Sequence, residues 1–298
     1  MDKEIAGKYI NSGKILKECQ EEAKKLLKPG VKLLLVAEKI ESLIKKSGAK
    51  PAFPVNLSFN SDAAHYTPSV NDETIFRETD VVKVDIGVHT DGFIADAAFT
   101  LDLSGKAKEM IKVNEKALEE ALKISEVGTT LGEIGEVIES TIREAGFKPV
   151  ENLSGHGLDE FTQHAHPSIP NIATGSTKKL EDNHAYAIEP FVSTGRGSIT
   201  EAAQCEIFML DELRPVRNPA ARKIIEFVQE EFSTLPFAER WIENGLHLGD
   251  FTRKTALKQL LQAKVLSAYP VLKEEKNAVV TQAETSFILF EGKKTRLV

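Results

Sequence analysis

The segment Val81–Asp102, with the sequence VVKVDIGVHTDGFIADAAFTLD, decides how we expect the chain to fold. It contains two apolar runs, the first rich in β-branched residues, and the turn-forming sequence Thr-Asp-Gly at positions 90–92 separates them. Alternating or apolar runs of this length joined by such a turn are typical of two antiparallel strands. The segment therefore predicts a β-hairpin.

Two acidic side chains are the chemically unusual feature of this hairpin. If Thr90 and Asp91 form a two-residue loop, Asp85 lies directly opposite Asp96, with Cβ atoms about 5 Å apart on one face. Two carboxylates so placed repel each other and lose solvation, so the pair predicts a cation between them. A loop longer by one residue would stagger them without separating them far. The alternative is one aspartate exposed at the turn and one ordinary surface aspartate.

Composition and charge exclude several classes of function. The 298 residues are 41% hydrophobic, which is enough for one large domain or two smaller ones. The net charge is −7 without a long run of Lys or Arg, so nucleic acid is not an expected ligand. Cys19 and Cys205 have no CxxC spacing and are too few for a disulfide framework. Because neither a signal peptide nor a membrane-length apolar run is evident, we expect a cytoplasmic protein and no membrane partner.

Helical periodicity flanks the hairpin on both sides. Apolar residues recur at three- and four-residue steps over residues 4–28 and again over 36–44, with Pro29-Gly30 between them. Two more amphipathic helices follow the hairpin, and the second opens with the capping-box sequence Thr130-Leu131-Gly132-Glu133. The order of elements predicts an α+β fold in which helices cover an antiparallel sheet.

Three histidines lie in unusual surroundings. His65 follows two alanines that leave room around its ring, and the residues alone leave a functional and a structural role equally open. Glycines flank His156, which would let the backbone approach a ligand closely. His164 would share a strand face with His156 if the strand were unbroken, although residues 157–160 predict an interruption. The alternative for both is a polar loop histidine.

Two glutamates lie inside apolar runs. Glu189 is part of Tyr186–Phe191, and Glu284 lies in the middle of Val279–Phe290, which resembles a closing strand. Burying a carboxylate is costly unless it is paired or binds a metal. The common alternative for Glu284 is a solvent-facing position on an edge strand. The STGRG loop at 193–197 lacks the lysine of a phosphate-binding loop, so phosphate is not expected there.

The region from about residue 210 to 268 has a different, helical composition. Residues 198–209 before it are strand-like, and Asn218-Pro219 starts a helix by the usual capping rules. Further helices are predicted over residues 237–242 and 252–261. We therefore predict an inserted helical subdomain here, without a catalytic cluster of its own.

Five residues are informative as a set, since four carboxylates and one imidazole suit two divalent metals about 3.5 Å apart. They are Asp85, Asp96, His156, Glu189 and Glu284. With this set the chain resembles the methionine aminopeptidases, specifically their type II branch, which has the pita-bread fold. The resemblance covers nearly the whole chain through motifs in one order: AAHYTP, VDIGVHTDGFIADAAFT, GHGLDEFTQH, AIEPF, STGRG, FAERW, YPVL and QAETSFILF.

The resemblance implies a metal-binding role for each of the five positions. Asp85 matches the aspartate that binds one metal through both oxygens. His156 and Glu189 match ligands of the second metal, and Asp96 and Glu284 match carboxylates that bridge the two. Two divalent ions are implied as cofactors, with Co, Mn, Fe and Zn all open.

Other matching positions imply contacts with substrate. His65 and His164 match the two histidines that contact substrate and stabilise the reacting carbonyl. Phe53, Phe191 and Tyr269 match the lining of the methionine pocket. Gln163 departs from the pattern, because it stands where an aliphatic pocket residue is found in a family member; the departure concerns side-chain preference and not the reaction.

The implied activity is removal of the N-terminal methionine from nascent proteins and peptides whose second residue is small. A hydroxide activated by two metals would attack the carbonyl, Glu189 would carry the proton to the leaving amine, and His164 would donate to the tetrahedral oxygen. Residues 1–209 and 269–298 would form the pita-bread catalytic domain, and 210–268 a winged-helix-like insert. We expect an archaeal, monomeric enzyme.

Three alternatives stay open. The first is an X-Pro aminopeptidase or prolidase of the same fold, against which AAHYTP and the insert argue. The second is a non-catalytic pita-bread protein that binds partners, although such proteins lose metal ligands and all five are present here. The third is an insert that docks on a ribosome or nucleic acid, to which its mixed charges lend little support.

Overall fold

Seven helices and eighteen strands make up the fold, and the computed structural model describes all 298 residues. The helices are α1 (Lys3–Leu26), α2 (Leu33–Lys46), α3 (Lys108–Ile124), α4 (Leu131–Glu144), α5 (Pro219–Glu231), α6 (Glu239–Leu246) and α7 (Asp250–Gln262). The strands are β1 (Lys50–Pro51), β2 (Asn56–Phe59), β3 (Asp62–Ala64), β4 (Val81–Thr90), β5 (Phe93–Asp102), β6 (Lys148–Pro149), β7 (Ser154–Asp159), β8 (Thr162–Pro170), β9 (His184–Ile188), β10 (Phe191–Ser193), β11 (Thr200–Glu201), β12 (Ile207–Leu210), β13 (Phe237–Ala238), β14 (Leu266–Tyr269), β15 (Leu272–Lys273), β16 (Val280–Gln282), β17 (Thr285–Phe290) and β18 (Lys293–Arg296). None of the helices combines the length and the apolar character needed to cross a bilayer.

The first pair of helices packs against the hairpin of β4 and β5. Asp2 caps α1 by accepting hydrogen bonds from the backbone N–H groups of Glu4 and Ile5, both at 2.9 Å. The apolar stripes of α1 and α2 meet one face of the strands, with Leu16, Ile40 and Val84 fully buried in the largest core cluster. The predicted helical hairpin is thus the cover of this sheet.

The second pair of helices repeats the arrangement on the other half of the chain. The predicted capping box at the start of α4 is present, because Thr130 Oγ1 accepts from Glu133 N and Glu133 Oε2 accepts from Thr130 N. The helices α3 and α4 bury their apolar faces against β9 and β17, as shown by Ile138, Ile188 and Phe287 in the second core cluster. The α+β architecture with helices outside antiparallel sheets is confirmed.

The register of the central hairpin differs from the expected one. The two loop residues are Asp91 and Gly92, with φ angles of 50° and 90°. A tight type I′ hairpin turn needs positive φ at both central residues, which an Asp-Gly pair accepts more readily than Thr-Asp. Asp96 therefore pairs with Gly87, not with Asp85. The residue opposite Asp96 is thus two positions further along β4 than expected. Because side chains alternate between the two faces with a period of two residues, Asp85 and Asp96 still share a face as diagonal neighbours.

Three of the expected strands are interrupted. The five-stranded antiparallel sheet has the order β18-β17-β9-β7-β8. Its strand β9 ends at Ile188, so Glu189 follows the strand instead of lying inside it, and the closing run breaks at 283–284 between β16 and β17. The strand predicted over 198–209 is also wrong in its middle, where residues 202–206 join β11 to β12. Apolar content in these runs reflects burial in loops and not continuous pairing.

The third core cluster is built from buried residues between Phe208 and Leu266. It joins α5, α6 and α7 to the small antiparallel sheet β13-β12-β14. Asn218 caps α5 as predicted, but the helix expected over 237–242 begins only at Glu239. Phe237 and Ala238 are a strand because they pair with β12, a long-range contact that overrides local helical periodicity.

Candidate active site

All ten residues singled out as candidate ligands, catalytic groups or pocket walls line one cavity of about 260 Å³. This volume lies just below the ~300–1,000 Å³ of pockets for drug-sized ligands, so it suits a single amino-acid side chain. The residues come from seven separate stretches of sequence, and the cavity lies where the two halves of the fold meet. They are Phe53, His65, Asp85, Asp96, His156, His164, Glu189, Phe191, Tyr269 and Glu284.

A cluster of carboxylates and one imidazole forms the polar floor of this cavity. Ligand-type atoms of Asp96, His156 and Glu284 lie within 4.8 Å of one another, and all three residues are buried. His156 Nε2 is 3.9 Å from Asp96 Oδ2 and 3.7 Å from Glu189 Oε1. Glu284 is only 5% exposed, so the interpretation as a solvent-facing edge residue is wrong. The group could hold a metal ion.

Gln282 is a member of the cluster that the sequence analysis missed. Its Nε2 lies 3.3 Å from both Asp85 Oδ2 and Glu284 Oε2 and 3.4 Å from Glu189 Oε2, in position to donate to them. A second amide, Gln163 Nε2, donates to Asp96 Oδ2 at 3.4 Å. The position of Gln282 two residues before Glu284 in a strand-like run was a usable signal, because such spacing puts both side chains on one face of a strand.

The carboxylates of the cluster have raised pKa values, which indicates a need for a cation. Burial raises the pKa of Asp85 to about 7. Burial, together with repulsion from neighbouring carboxylates, raises the pKa values of Asp96, Glu189 and Glu284 well above their usual range. Each charge is costly to bury beside the others, so the cluster binds either protons or a positive ion.

Two buried oxygen atoms without hydrogen-bond partners indicate that a positive ion, more than protons, suits the site. Asp85 Oδ1 and Asp96 Oδ1 are fully buried and have no hydrogen-bond partner. Buried polar atoms without partners are rare in native proteins, and an ion is one of their ordinary explanations. Oxygen-rich ligands with a single imidazole are a donor set that divalent cations such as Mn or Fe accept. The residues present therefore fit a divalent metal.

The histidines of the site are neutral and close to one another. The rings of His156 and His164 are 4.7 Å apart, across the turn between β7 and β8 that interrupts the strand as expected. Burial, followed by the charge of His164, lowers the pKa of both His156 and His65, to about 3 and about 4 respectively. Desolvation of the ring within the cavity also lowers the pKa of His164 to about 4, although this side chain is open to the cavity. All three can act as neutral imidazoles at pH 7.

The glycines beside His156 have a different role from the one expected. A Cβ atom at Gly155 would lie 2.3 Å from the Ala187 carbonyl oxygen, and one at Gly157 would lie 2.4 Å from that of His166. These contacts are with the neighbouring strands β9 and β8. The glycines let three strands approach closely and so place His156, whereas the ligand contact suggested for them is not the reason for their presence.

Aromatic and aliphatic side chains form the walls of the cavity. Phe53 and Phe191 are buried, and the Tyr269 ring lies 5.5 Å from that of His65 and 6.1 Å from that of His164. Asn56, Ile207 and Pro236 also line the cavity and were not predicted from the sequence. Asn56 opposes Asp85 in the pairing of β2 with β4. Its polar position in an alternating strand was visible, but the partner strand was not.

The STGRG loop is filled by a side chain of the protein itself. The Glu274 carboxylate accepts hydrogen bonds from the backbone N–H groups of Arg196, Gly197 and Ser198 at 2.8–3.1 Å. These hydrogen bonds outweigh burial and lower its pKa. Successive backbone N–H groups form a concave anion site, and here a carboxylate occupies it. The loop resembles a phosphate loop for that reason.

The known proteins with similar sequences are metallopeptidases and aminopeptidases, which agrees with a metal-binding carboxylate cluster. The sequence matches metallopeptidase family M24 over residues 8–209. It is 46% identical to a methionine aminopeptidase of Archaeoglobus fulgidus over 99% of both chains, and 41% identical to one of Methanocaldococcus jannaschii over 97% of both. A thermophilic Arx1 superposes on the whole chain and on 91% of its own length with a TM-score of 0.87 at 18% identity. A methionine aminopeptidase of Thermotoga maritima covers this chain fully, and 97% of its own length, with a TM-score of 0.72 at 21% identity.

The chain belongs to metallopeptidase family M24. The likeness to the solved structures concerns the fold, and it confirms the pita-bread architecture predicted from the sequence. The full-length archaeal relatives further support a methionyl aminopeptidase, a metal-using hydrolase of the type II branch that the sequence resembles.

Proposed function

We propose that the protein removes N-terminal methionine from peptides and nascent chains by metal-assisted hydrolysis when the second residue is small. The observation that carries the proposal is the buried carboxylate cluster on the floor of a cavity with aromatic walls. A thioether side chain suits such walls, because sulfur makes favourable contacts with aromatic rings. The small volume of the cavity favours a single bound side chain and little bulk beyond it.

We propose that the cluster holds two divalent cations. Asp85 would serve one of them, and His156 with Glu189 would serve the other. Asp96 and Glu284 would serve both, which agrees with the repulsion from neighbouring carboxylates that raises their pKa values. Cations bound here would lower the pKa of a coordinated water toward neutrality, which supplies a nucleophile at physiological pH.

Protein side chains would carry out the remaining steps. Glu189, with its raised pKa, is suited to take a proton and pass it to the amine that leaves. His164 is open to the cavity and neutral, so one ring N–H can donate to the oxygen that develops negative charge. His65 would contact the substrate beside Tyr269, whose ring also lies near His164. Phe53, Phe191 and Tyr269 would hold the methionine side chain.

A hydrolysis assay tests this proposal. Chelated protein would be given Mn, Co, Fe or Zn in turn and offered a Met-Ala-Ser peptide beside a peptide that begins Lys-Pro. Methionine release that returns only with metal supports the proposal. Cleavage of the Lys-Pro bond alone would leave the fold assignment intact and overturn the substrate. No cleavage with any metal would favour a binding protein of this fold.

The site of action in the cell is part of the same proposal. Removal of the first residue from nascent chains requires the enzyme where chains are synthesised, so we propose a cytoplasmic location. Residues 210–268 would form a subdomain inserted into the catalytic domain. Sedimentation with ribosomes, with and without a nascent chain, would test whether the protein also binds the ribosome itself.

A further inference from the structure

A buried guanidinium group connects the helical region 210–268 with two segments of the substrate cavity. Arg240, on α6, is 2% exposed and forms an ion pair with Glu41 on α2. Its Nη1 also donates to Thr67 Oγ1 at 2.8 Å and to the Pro68 carbonyl oxygen at 3.1 Å. Thr67 is completely buried. One side chain therefore joins α6 directly to two other parts of the chain, α2 and the segment 67–68.

The hydrogen bonds close into a ring. Thr67 Oγ1 donates to the Val55 carbonyl oxygen at 2.8 Å, and Val55 N donates to Glu41 Oε1 at 3.2 Å. Glu41 Oε1 is the oxygen that accepts from Arg240, and its partner Oε2 accepts from Trp241 Nε1 at 2.8 Å. The ring satisfies both carboxylate oxygens of Glu41 and the Thr67 hydroxyl, while Arg240 Nε stays without a partner. A buried network of this kind fixes the geometry of its backbone segments.

Both segments held by this ring carry walls of the cavity. Phe53 and Asn56 lie on either side of Val55, and both line the cavity. His65, two residues before Thr67, also lines it. His65 has a φ of 65°, a left-handed conformation that a residue other than glycine keeps only where its surroundings hold it.

We infer that Arg240 is a positioning residue for the substrate cavity. It acts through Thr67 and Val55, and it sets the positions of His65 and Phe53 relative to the metal-binding floor. The helical region thus supports the substrate site through Arg240, in addition to the cavity wall that Pro236 supplies, which gives this part of the chain a role in turnover. This inference rests on the proposed function, because it needs a substrate that occupies the cavity.

A second buried arginine provides a matched control. Arg253, on α7, is also 2% exposed and is bound by Glu239, Glu243 and Asp250. All these partners lie within the helical region, and none lines the cavity. Loss of Arg253 therefore destabilises the same region as loss of Arg240 without touching the ring at Thr67.

The experiment compares Arg240→Met with Arg253→Met in the full-length protein loaded with Mn. Both variants lower the Tm. At a temperature where both remain folded, Arg240→Met raises KM for Met-Ala-Ser at least about tenfold, since small misplacements of binding groups are costly. Arg253→Met keeps KM within about twofold of the parent. Affinity for Mn, measured by calorimetry on the chelated protein, changes in neither variant.

A smaller change tests the ring if Arg240→Met fails to fold. Thr67→Val removes the hydroxyl at constant shape and raises KM, and Thr67→Ser, which restores the hydroxyl, brings KM back. Equal KM increases in the two arginine variants would reduce Arg240 to structural support and overturn the inference, as would an unchanged KM in Thr67→Val. An inactive parent protein with every metal would instead refute the proposed function.

Discussion

Glu189 and Glu284 face each other at one break shared by two paired segments. Ile188 pairs with Thr285 before the break, and Phe191 pairs with Gln282 after it. The register is the same on both sides, and the Pro190 carbonyl oxygen accepts from Ala283 N within the break. Both glutamates thus lie at matching positions between the paired segments, and both line the cavity.

We expect that removal of the Asp96 or the Glu284 carboxylate abolishes metal-dependent turnover. Glu284→Ala or Asp96→Ala lowers metal affinity at least ~100-fold, because a ligand is worth at least as much as a residue that only orients one. Calorimetry and metal analysis of the purified variants measure the effect. Glu201→Ala, at an exposed acidic position on β11, is the control and behaves as the parent. A fully active Glu284→Ala protein would contradict the metal assignment.

The stability of the metal-free protein falls as the pH rises. Folding raises the pKa of Asp85 from 3.8 to about 7, so the folded state binds more protons than the unfolded state between these values. A raised pKa favours folding below pH 4, and this contribution is lost as the pH rises through about 7. Up to pH 6.5 the lowered pKa values of His65, His156 and His164 act in the opposite direction, so the Tm of chelated protein decreases from about pH 6.5 to pH 8. Saturating Mn reverses the trend by replacing the protons, and a flat Tm profile without metal would contradict this account.

The side-chain amides of Gln282 and Gln163 contact different numbers of carboxylates, so we expect different effects when each is removed. Gln282 is buried and contacts three carboxylates, so Gln282→Leu lowers metal affinity about 10–100-fold. Gln163 lies at the cavity edge and contacts only Asp96, so Gln163→Leu changes KM for methionine peptides more than it changes metal affinity. Calorimetry and steady-state kinetics on both variants separate the two effects. Equal loss of metal affinity in both would show that the amides act alike.

Gly87 is required for the position of Phe53. A Cβ atom at Gly87 would lie 2.2 Å from Cε1 of the Phe53 ring, so Gly87→Ala displaces that ring toward the cavity. We expect KM to rise and the Tm to fall, by an amount typical of overpacking, about 1–3 kcal/mol in the free energy of unfolding. Gly7→Ala in α1 is the control, since nothing lies within 4 Å of its added Cβ. That variant is as active as the parent, and its helix gains roughly 0.5–1 kcal/mol.

Local sequence signals identified much of the fold. Periodicity located α1 through α4, and the capping chemistry of Asn218 and Thr130 located helix starts, because these depend on residues a few positions apart. The five polar residues in apolar settings that the sequence singled out all line the cavity. For Gln282 the sequence offered only its two-residue spacing from Glu284, and it did not indicate that residues 237–238 pair with β12.

By itself, the sequence determined which segments are helices and which are strands, and it determined the chemistry available to the site. The odd spacing between Asp85 and Asp96 across a two-residue turn also places them on one face of the hairpin. The tertiary structure decided the register through the Asp-Gly turn, the meeting of Glu189 with Glu284, and the ring that joins Arg240 to Thr67. Side-chain parity and helix capping are set by neighbours along the chain. Contacts between residues up to nearly 200 positions apart depend on how all the layers pack at once.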